Sequence, residues 1–308
     1  MQLRERVSCG FNKNLFNPQR LPSSVSLRFI GKLVIGGNPA LLPKDPKIMR
    51  KGEGSMRLLG KVAVVTGAAV GLGCAIATRF AHEGASVVAA DTNVAEGEEL
   101  VRELSEHGHN AMFVEADVAN NDAVKRIFVA ALARYKHIDI LCNNAAILLY
   151  DRDSEAHELS LDTWDNVMNV NLRGSFLCTK HVIPLMLNNG GGSIVYMGSP
   201  TGLYGCAPNL TAYSTSKAGV MGLARVTAVA YAQRGIRVNS IVPGTMDTPM
   251  NHSVLSDQES RDEYSRAVPL GRLGTPNDVE GLAVFLASDE SAYCTGGLYM
   301  CDGGLTAI

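Results

Sequence analysis

At 308 residues the chain is long enough for one large α/β domain with a substantial core, or for two small ones. With 46% hydrophobic and 19% charged residues its composition is ordinary for a globular protein, no apolar run approaches the length that spans a bilayer, and a net charge of −2 argues against nucleic acid or an anionic membrane as partner. That near-neutral total hides an asymmetry: residues 1–55 carry ten Lys/Arg against three Asp/Glu, and the remainder 18 against 27.

Residues 1–55 lack sustained periodicity and are broken by Pro18, Pro22, Pro39, Pro43 and Pro46; up to Pro43 their sole acid is Glu5. That composition resembles an organelle transit peptide. A disordered tail, or untranslated upstream sequence with Met56 as the start, is the simpler expectation, and it leaves the protein in the cytoplasm. The seven cysteines are odd in number, widely spaced and form no C-x-x-C pair, so neither a zinc site nor a disulfide framework is indicated, and a reducing compartment fits best.

From Gly60 the pattern changes. Val62-Ala63-Val64-Val65-Thr66 is a short apolar run ending at glycines, as a buried parallel strand would be. A helix over 71–84 and a second strand over 86–91 follow. The alternation continues through helix 94–107, strand 110–115, helix 120–135, strand 138–142, a long helix 161–188, strand 193–198, helix 211–234, strand 236–241, helix 277–287 and strand 297–301. Strands alternating with helices of this length imply βαβ units. The expectation is one α/β domain over 56–308, a doubly wound seven-stranded parallel sheet with helices on both faces.

The chemistry-bearing motifs fall at strand ends. The first strand runs into Thr66-Gly67-Ala68-Ala69-Val70-Gly71-Leu72-Gly73 and then a helix, where glycines permit a tight turn and bring backbone N–H groups close to a pyrophosphate. Asp91, closing the second strand, can accept both hydroxyls of an adenosine ribose and would repel a 2′-phosphate, which favours NAD over NADP; its plain alternative is a cap on the next helix. Asp117-Val118 follow the third strand and Asn143-Asn144-Ala145-Ala146 the fourth, both at the edge where this architecture binds ligands. Asp117 has the chemistry to meet an adenine amino group, or to be an ordinary turn residue. Tyr213 and Lys217 sit four residues apart, so on a helix they share one face, and a neighbouring ammonium favours the phenolate. Such a tyrosine can exchange a proton with a substrate oxygen that Ser199 polarises. Taken alone, Tyr-x-x-x-Lys is a common accident of solvated helices.

In combination these features resemble the short-chain dehydrogenase/reductase family: the turn T-G-x-x-x-G-x-G, the N-N-A tetrad, Asn171, Ser199, Tyr213 with Lys217, Pro243-Gly244 and Asp302-Gly303-Gly304. The resemblance covers essentially all of 57–308 and implies a Rossmann fold. It implies Tyr213 as general acid/base, Lys217 lowering its pKa and binding the nicotinamide ribose, Ser199 holding the carbonyl, and Asn171 kinking its helix to keep a water in a proton relay. It also implies a cofactor site of Gly67, Val70, Gly71, Leu72, Gly73, Asp91, Asp117, Val118, Asn144, Tyr213, Lys217, Met246 and Thr248, with no metal, and a homotetramer or dimer built through the two long helices. Two departures stand out: the tetrad ends Ala145-Ala146 where the family has Ala-Gly, and Thr201 is a reserve candidate for the serine's role.

Substrate identity is expected in the loop 147–160, in 200–210 and in a mobile lid over 249–268, with Ile147, Leu203, Tyr204, Met246, Met250, Val254, Leu255 and Tyr264 as candidate walls and Asp151-Arg152-Asp153 as a polar loop tip. The expected function is an NAD-dependent alcohol dehydrogenase interconverting a secondary alcohol and a ketone; alicyclic, steroid-like and sugar substrates are all compatible. The alternatives are a 3-oxoacyl-(carrier protein) reductase and a nicotinamide-binding regulatory protein without turnover.

Overall fold

The computed structural model describes residues 56–307; the expectations for 1–55 lie outside them. Seven strands form one sheet: β1 (Val62–Thr66), β2 (Ser86–Asp91), β3 (Ala111–Glu115), β4 (Ile140–Asn143), β5 (Gly192–Met197), β6 (Ile236–Pro243) and β7 (Leu298–Cys301). Their order is β3-β2-β1-β4-β5-β6-β7, and every neighbouring pair is parallel. The chain builds outward from β1 to β3, then returns to the other side of β1 with β4. Connections leaving β1 and β4 therefore diverge to opposite faces and open a crevice at the carboxyl ends of the strands, where open α/β sheets bind ligands.

The strands read as apolar runs because both faces are covered; all five residues of β1 are buried. One face packs Ile76 and Phe80 of α1 (Gly71–His82), Leu100 and Leu104 of α2 (Val94–Glu106), and Val279 and Val284 of α8 (Pro276–Ala287). The other packs Ile127 and Phe128 of α3 (Asn121–Tyr135), Cys178 and Val182 of α5 (Ser175–Asn188), and Val220 and Ala224 of α6 (Thr211–Tyr231). The larger of these, the Val, Leu, Ile and Phe side chains, each contribute about 1.5–3 kcal/mol by leaving water.

Two elements differ from the sequence reading. The long helix over 161–188 is α4 (Leu161–Val167), a π-helical stretch (Met168–Gly174) and α5 in succession. Apolar periodicity carries no mark of i→i+5 bonding, so this segment reads as plain helix. The segment 249–268, expected as a lid and given no element in the sequence reading, holds a 3₁₀ turn (Pro249–Asn251) and α7 (Gln258–Ala267). None of α7's residues is buried, so it has no apolar stripe to betray it.

Candidate active site

A cavity of about 920 Å³ runs along the carboxyl ends of β1, β2, β4, β5 and β6. At one end the chain turns through Gly67 (φ +64°) and Gly71 (φ +60°), left-handed backbone that glycine adopts freely. A Cβ on Gly73 would lie 1.9 Å from the Gly67 carbonyl oxygen, so the helix closes on the turn only because no side chain is there. Asn144 braces the turn: its Nδ2 donates to the carbonyls of Thr66 (3.0 Å) and Gly67 (2.9 Å), and its N–H to Thr66 Oγ1 (3.1 Å). Helix α1 has no side-chain cap and no acid in its first turn. By contrast α2, α3, α4 and α7 are capped by Asn93, Asn120, Ser160 and Asp257. With Val70, Gly71 and Leu72 on the cavity wall, the N–H groups of α1 are left for an anion, as a dinucleotide pyrophosphate requires.

Asp91 lines the same end, accepting from the N–H of Ala69 (2.9 Å) and of Asn93 (3.0 Å). Since Asn93 caps α2, the plain reading of Asp91 as that cap is set aside. Asp117 and Val118 also line the cavity; one Asp117 oxygen accepts from Ala119 N–H (2.9 Å), so the turn role is real, whatever else the carboxylate does. Across from the turn stands Thr248, whose Cβ lies 3.6 Å from where a Gly71 Cβ would be. Met246 is buried beside it, its carbonyl accepting from Asn251 Nδ2 (2.8 Å). Among the described residues that line the cavity, Lys217 is the sole Lys or Arg, so nothing stands ready for a 2′-phosphate.

Ser199, Tyr213 and Lys217 come together where β5 and α6 meet, and all three are buried. Ser199 Oγ lies 3.0 Å from Thr201 Oγ1, so the serine and its reserve candidate are joined on the cavity wall that Tyr213 also lines. Lys217 Nζ donates to the Met197 carbonyl (2.9 Å) and lies 5.6 Å from the Tyr213 ring centre. Burial lowers the Lys217 pKa to about 8. The sequence reading has Lys217 drawing the phenol toward neutrality; in this arrangement burial dominates and pushes Tyr213 upward, Tyr150 adds to that, and the Ser199 hydrogen bond alone opposes it. The ammonium is turned to a carbonyl and partly discharged near pH 8, so its pull is weak.

Asn171 sits in the π-helical stretch, a distortion that often marks functional positions. Its side chain is engaged by protein groups: Oδ1 accepts from Ile147 N–H (2.8 Å), and Nδ2 donates to the Ile147 carbonyl (3.0 Å) and Ser216 Oγ (3.0 Å). Ser216 in turn donates to the Tyr213 carbonyl (2.7 Å). Asn171 thus clamps the loop after β4 to α6, where the resemblance implies a water-relay role.

Two functional groups escape the sequence reading. Asp153, expected at a solvated loop tip, is buried, and its carboxylate accepts from the N–H groups of Ala212 (3.0 Å) and Tyr213 (2.9 Å). It is a remote cap for α6, whose preceding residue Leu210 offers no acceptor; that missing local cap was the signal. Tyr150 and Asn251 join across the cavity, the Tyr150 hydroxyl donating to Asn251 Oδ1 (3.1 Å). Burial, with Tyr264 nearby, pushes the Tyr150 phenol up to about 12. Nothing local marks this pair. Of the candidate walls, Ile147, Met246, Met250, Val254 and Tyr264 line the cavity, whereas Leu203, Tyr204 and Leu255 do not; Leu255 is in the core, and Tyr204 is half-exposed.

Comparison with known proteins adds to this geometry. A family model described as enoyl-(acyl carrier protein) reductase matches residues 67–306. A 3-oxoacyl-[acyl-carrier-protein] reductase, FabG, of Thermotoga maritima is 40% identical over 250 residues, covering 81% of this chain and 99% of that protein. The 3beta-hydroxysteroid dehydrogenase 1 of Eggerthella lenta is 40% identical over 250 residues, 81% of this chain and 95% of that protein. Among solved structures, a candidate NAD(P)-dependent gluconate 5-dehydrogenase from Beutenbergia cavernae, holding NADP at low occupancy, superposes with a TM-score of 0.77 at 36% identity, over 83% of this chain and 100% of its own.

Proposed function

This chain belongs to the short-chain dehydrogenase/reductase family, whose members are oxidoreductases that use a nicotinamide cofactor, and from that premise we propose that it is an NAD-dependent enzyme interconverting a secondary alcohol and a ketone. The observation that carries this reading is the convergence of Ser199, Tyr213 and Lys217 in one cavity with the uncapped N-terminus of α1. The bound nicotinamide would take the hydride from the carbinol carbon, or return it to the carbonyl carbon. Tyr213 would accept the hydroxyl proton in its phenolate form as the C=O bond forms, and as the phenol would give it back in reverse. Ser199 donates a hydrogen bond to the same oxygen and holds it within reach of the phenol. Lys217, whose ammonium donates to the Met197 carbonyl, would bind the ribose and, when charged, favour the phenolate. Thr248 and the backbone of Met246 would hold the carboxamide, and Asn171 and Asp153 fix the backbone that carries Tyr213.

NAD rather than NADP is supported by Asp91 on the cavity wall and by the missing Arg or Lys beside it. The NADP in the Beutenbergia neighbour argues for testing the point directly. Steady-state kinetics with both cofactors is expected to give the higher kcat/KM with NAD(H); a clear NADP(H) preference would overturn the reading of Asp91. The decisive variant is Tyr213→Phe, expected to lower kcat by at least ~10²-fold while NADH still binds. Retained activity would refute the mechanism.

A reductase of carrier-borne 3-oxoacyl groups is the second reading, favoured by the Thermotoga relative. Self-association is part of the proposal: Phe176 on α5 and Val226 and Val229 on α6 are apolar and exposed, as an interface through those helices would need. We place the enzyme in the cytoplasm, since the six cysteines of the described residues are all unpaired. No helix among those residues is long and apolar enough to cross a membrane.

A further inference from the structure

We propose that the substrate is an uncharged, largely apolar secondary alcohol or its ketone, taken as a free small molecule rather than as an anion or on an acidic carrier protein. The inference rests on the hydride-transfer reading above, and two independent observations carry it.

The first is inside the cavity. Its charged wall residues are Asp91 and Asp117 at the glycine-turn end and Lys217 beneath Tyr213; neither Arg nor His lines it among the described residues. Beyond Tyr213 the wall is apolar, with Ile147, Leu149, Met250 and Val254, and its polar groups there are neutral, among them Tyr150 and Asn251. A carboxylate or phosphate brought to this end leaves water with no cation to meet it, which is strongly unfavourable. Lys217 does not fill that place, because its ammonium is held on the Met197 carbonyl. A hydroxyl or carbonyl on the substrate, by contrast, finds partners in Tyr150 and Asn251.

The second observation is on the outer wall. The segments 151–165 and 247–266, joined through the Tyr150–Asn251 hydrogen bond beside them, carry eleven carboxylates against Arg152, Arg261 and Arg266. Arg152 is paired with Asp162 (2.5 Å) and Arg261 with Asp247. Asp153 is buried beneath α6, whereas Asp151, Glu155, Glu158, Asp257, Asp262 and Glu263 are exposed. Charges of one sign on the two segments that carry or adjoin the wall residues Tyr150 and Asn251 repel an incoming polyanion over a screening length of about 8–10 Å. An acidic carrier protein meets repulsion here instead of a basic landing surface. A cationic substrate would find no carboxylate on the wall beyond Tyr213 either, so neither sign of charge is favoured there.

The test uses the full chain with NAD and alcohols matched in shape but not in charge. One pair is cyclohexanol against 4-hydroxycyclohexanecarboxylate; the other is a 3-hydroxyacyl thioester of N-acetylcysteamine against the same acyl group on an acyl carrier protein. Each is assayed at low and high ionic strength. The neutral member of each pair is expected to have the higher kcat/KM by about tenfold or more at low salt, with the anionic member gaining as salt is added and the neutral one staying flat. Val254→Arg, which puts a cation in the wall, is expected to narrow the gap for the carboxylate, and an unchanged melting temperature shows that it folds. Equal or better turnover of the carboxylate or carrier-borne member overturns this inference and leaves hydride transfer standing. No turnover in any arm, with NAD or NADP, overturns the hydride-transfer reading and this inference with it.

Discussion

Helices α1 and α6 both begin at the cavity wall, and their N-termini are finished in opposite ways. The first-turn N–H groups of α1 meet no capping side chain, while those of Ala212 and Tyr213 at the start of α6 are taken by the buried carboxylate of Asp153. The physics of the two ends is identical: several donors without intrahelical partners and a partial positive charge. What differs is who supplies the acceptor. At α1 the protein supplies no side-chain acceptor, as the proposed pyrophosphate site requires. At α6 the protein supplies it from a loop about sixty residues upstream, which makes the end a fixed platform for Tyr213 and Lys217.

The largest effect is expected from making α1 resemble its capped neighbours. Val70 occupies the cap position with extended backbone (φ −141°), so Val70→Asp can cap the helix without strain. The new carboxylate is expected to stabilise the unliganded protein by ~1 kcal/mol and to weaken NADH binding by roughly 10²-fold through repulsion of the pyrophosphate. Thermal melts and NADH titration read both changes. If stability rises and NADH affinity holds, α1 is not the pyrophosphate site.

At the α6 end, Lys217 shows what the fixed platform costs. With its pKa lowered to about 8 by burial, it stays protonated in both folded and unfolded states below that value, and burying the charge costs roughly 3 kcal/mol. Between about 8 and the ordinary lysine value the folded form sheds its proton first, so stability climbs with pH through that window. Lys217→Met is therefore expected to be inactive yet more stable than the parent at pH 7, with the gain shrinking toward pH 10. Denaturant midpoints at both pH values test it; a gain that does not depend on pH removes the argument.

Opening the α6 end is expected to act more gently. Asp153→Ala leaves two buried N–H groups unpaired, a loss of about 1–3 kcal/mol, and should lower kcat about tenfold by loosening the backbone under Tyr213. Asp153→Asn, which keeps one carbonyl oxygen, should recover part of both losses. NADH affinity is the control, since the α1 end is untouched. A variant that melts earlier but turns over at the parental kcat would reduce Asp153 to a purely structural cap.

The same contrast explains what the sequence made legible. The glycine turn, Asp91 and the buried strands obey short-range rules, glycines where the backbone must turn or close up and apolar runs where both faces are covered, so they stand out in the chain. So does the four-residue spacing of Tyr213 and Lys217, because α6 is long and regular. Asp153 is opaque: among Asp151, Arg152 and Glu155 it looks like one more solvated charge, and only the tertiary fold carries it under α6. The π-helical stretch around Asn171 and the apolar-poor helix α7 were missed because neither changes the pattern that periodicity reads.

The smallest effect is expected where two loops meet over the substrate. Asn251 accepts from the Tyr150 hydroxyl and donates to the Met246 carbonyl, so it ties the loop after β4 to the segment after β6. Asn251→Ala removes both bonds and leaves a half-buried phenol without that partner, a loss of about 1 kcal/mol. Because Asn251 hydrogen-bonds to neither Ser199 nor Tyr213, the loss should fall on ground-state and transition-state binding alike, raising KM for the alcohol a few-fold while kcat and NADH affinity hold. A fall in kcat at constant KM would instead move Asn251 into the proton-transfer geometry, and the α6 platform would then extend across the cavity to the loops that close over it.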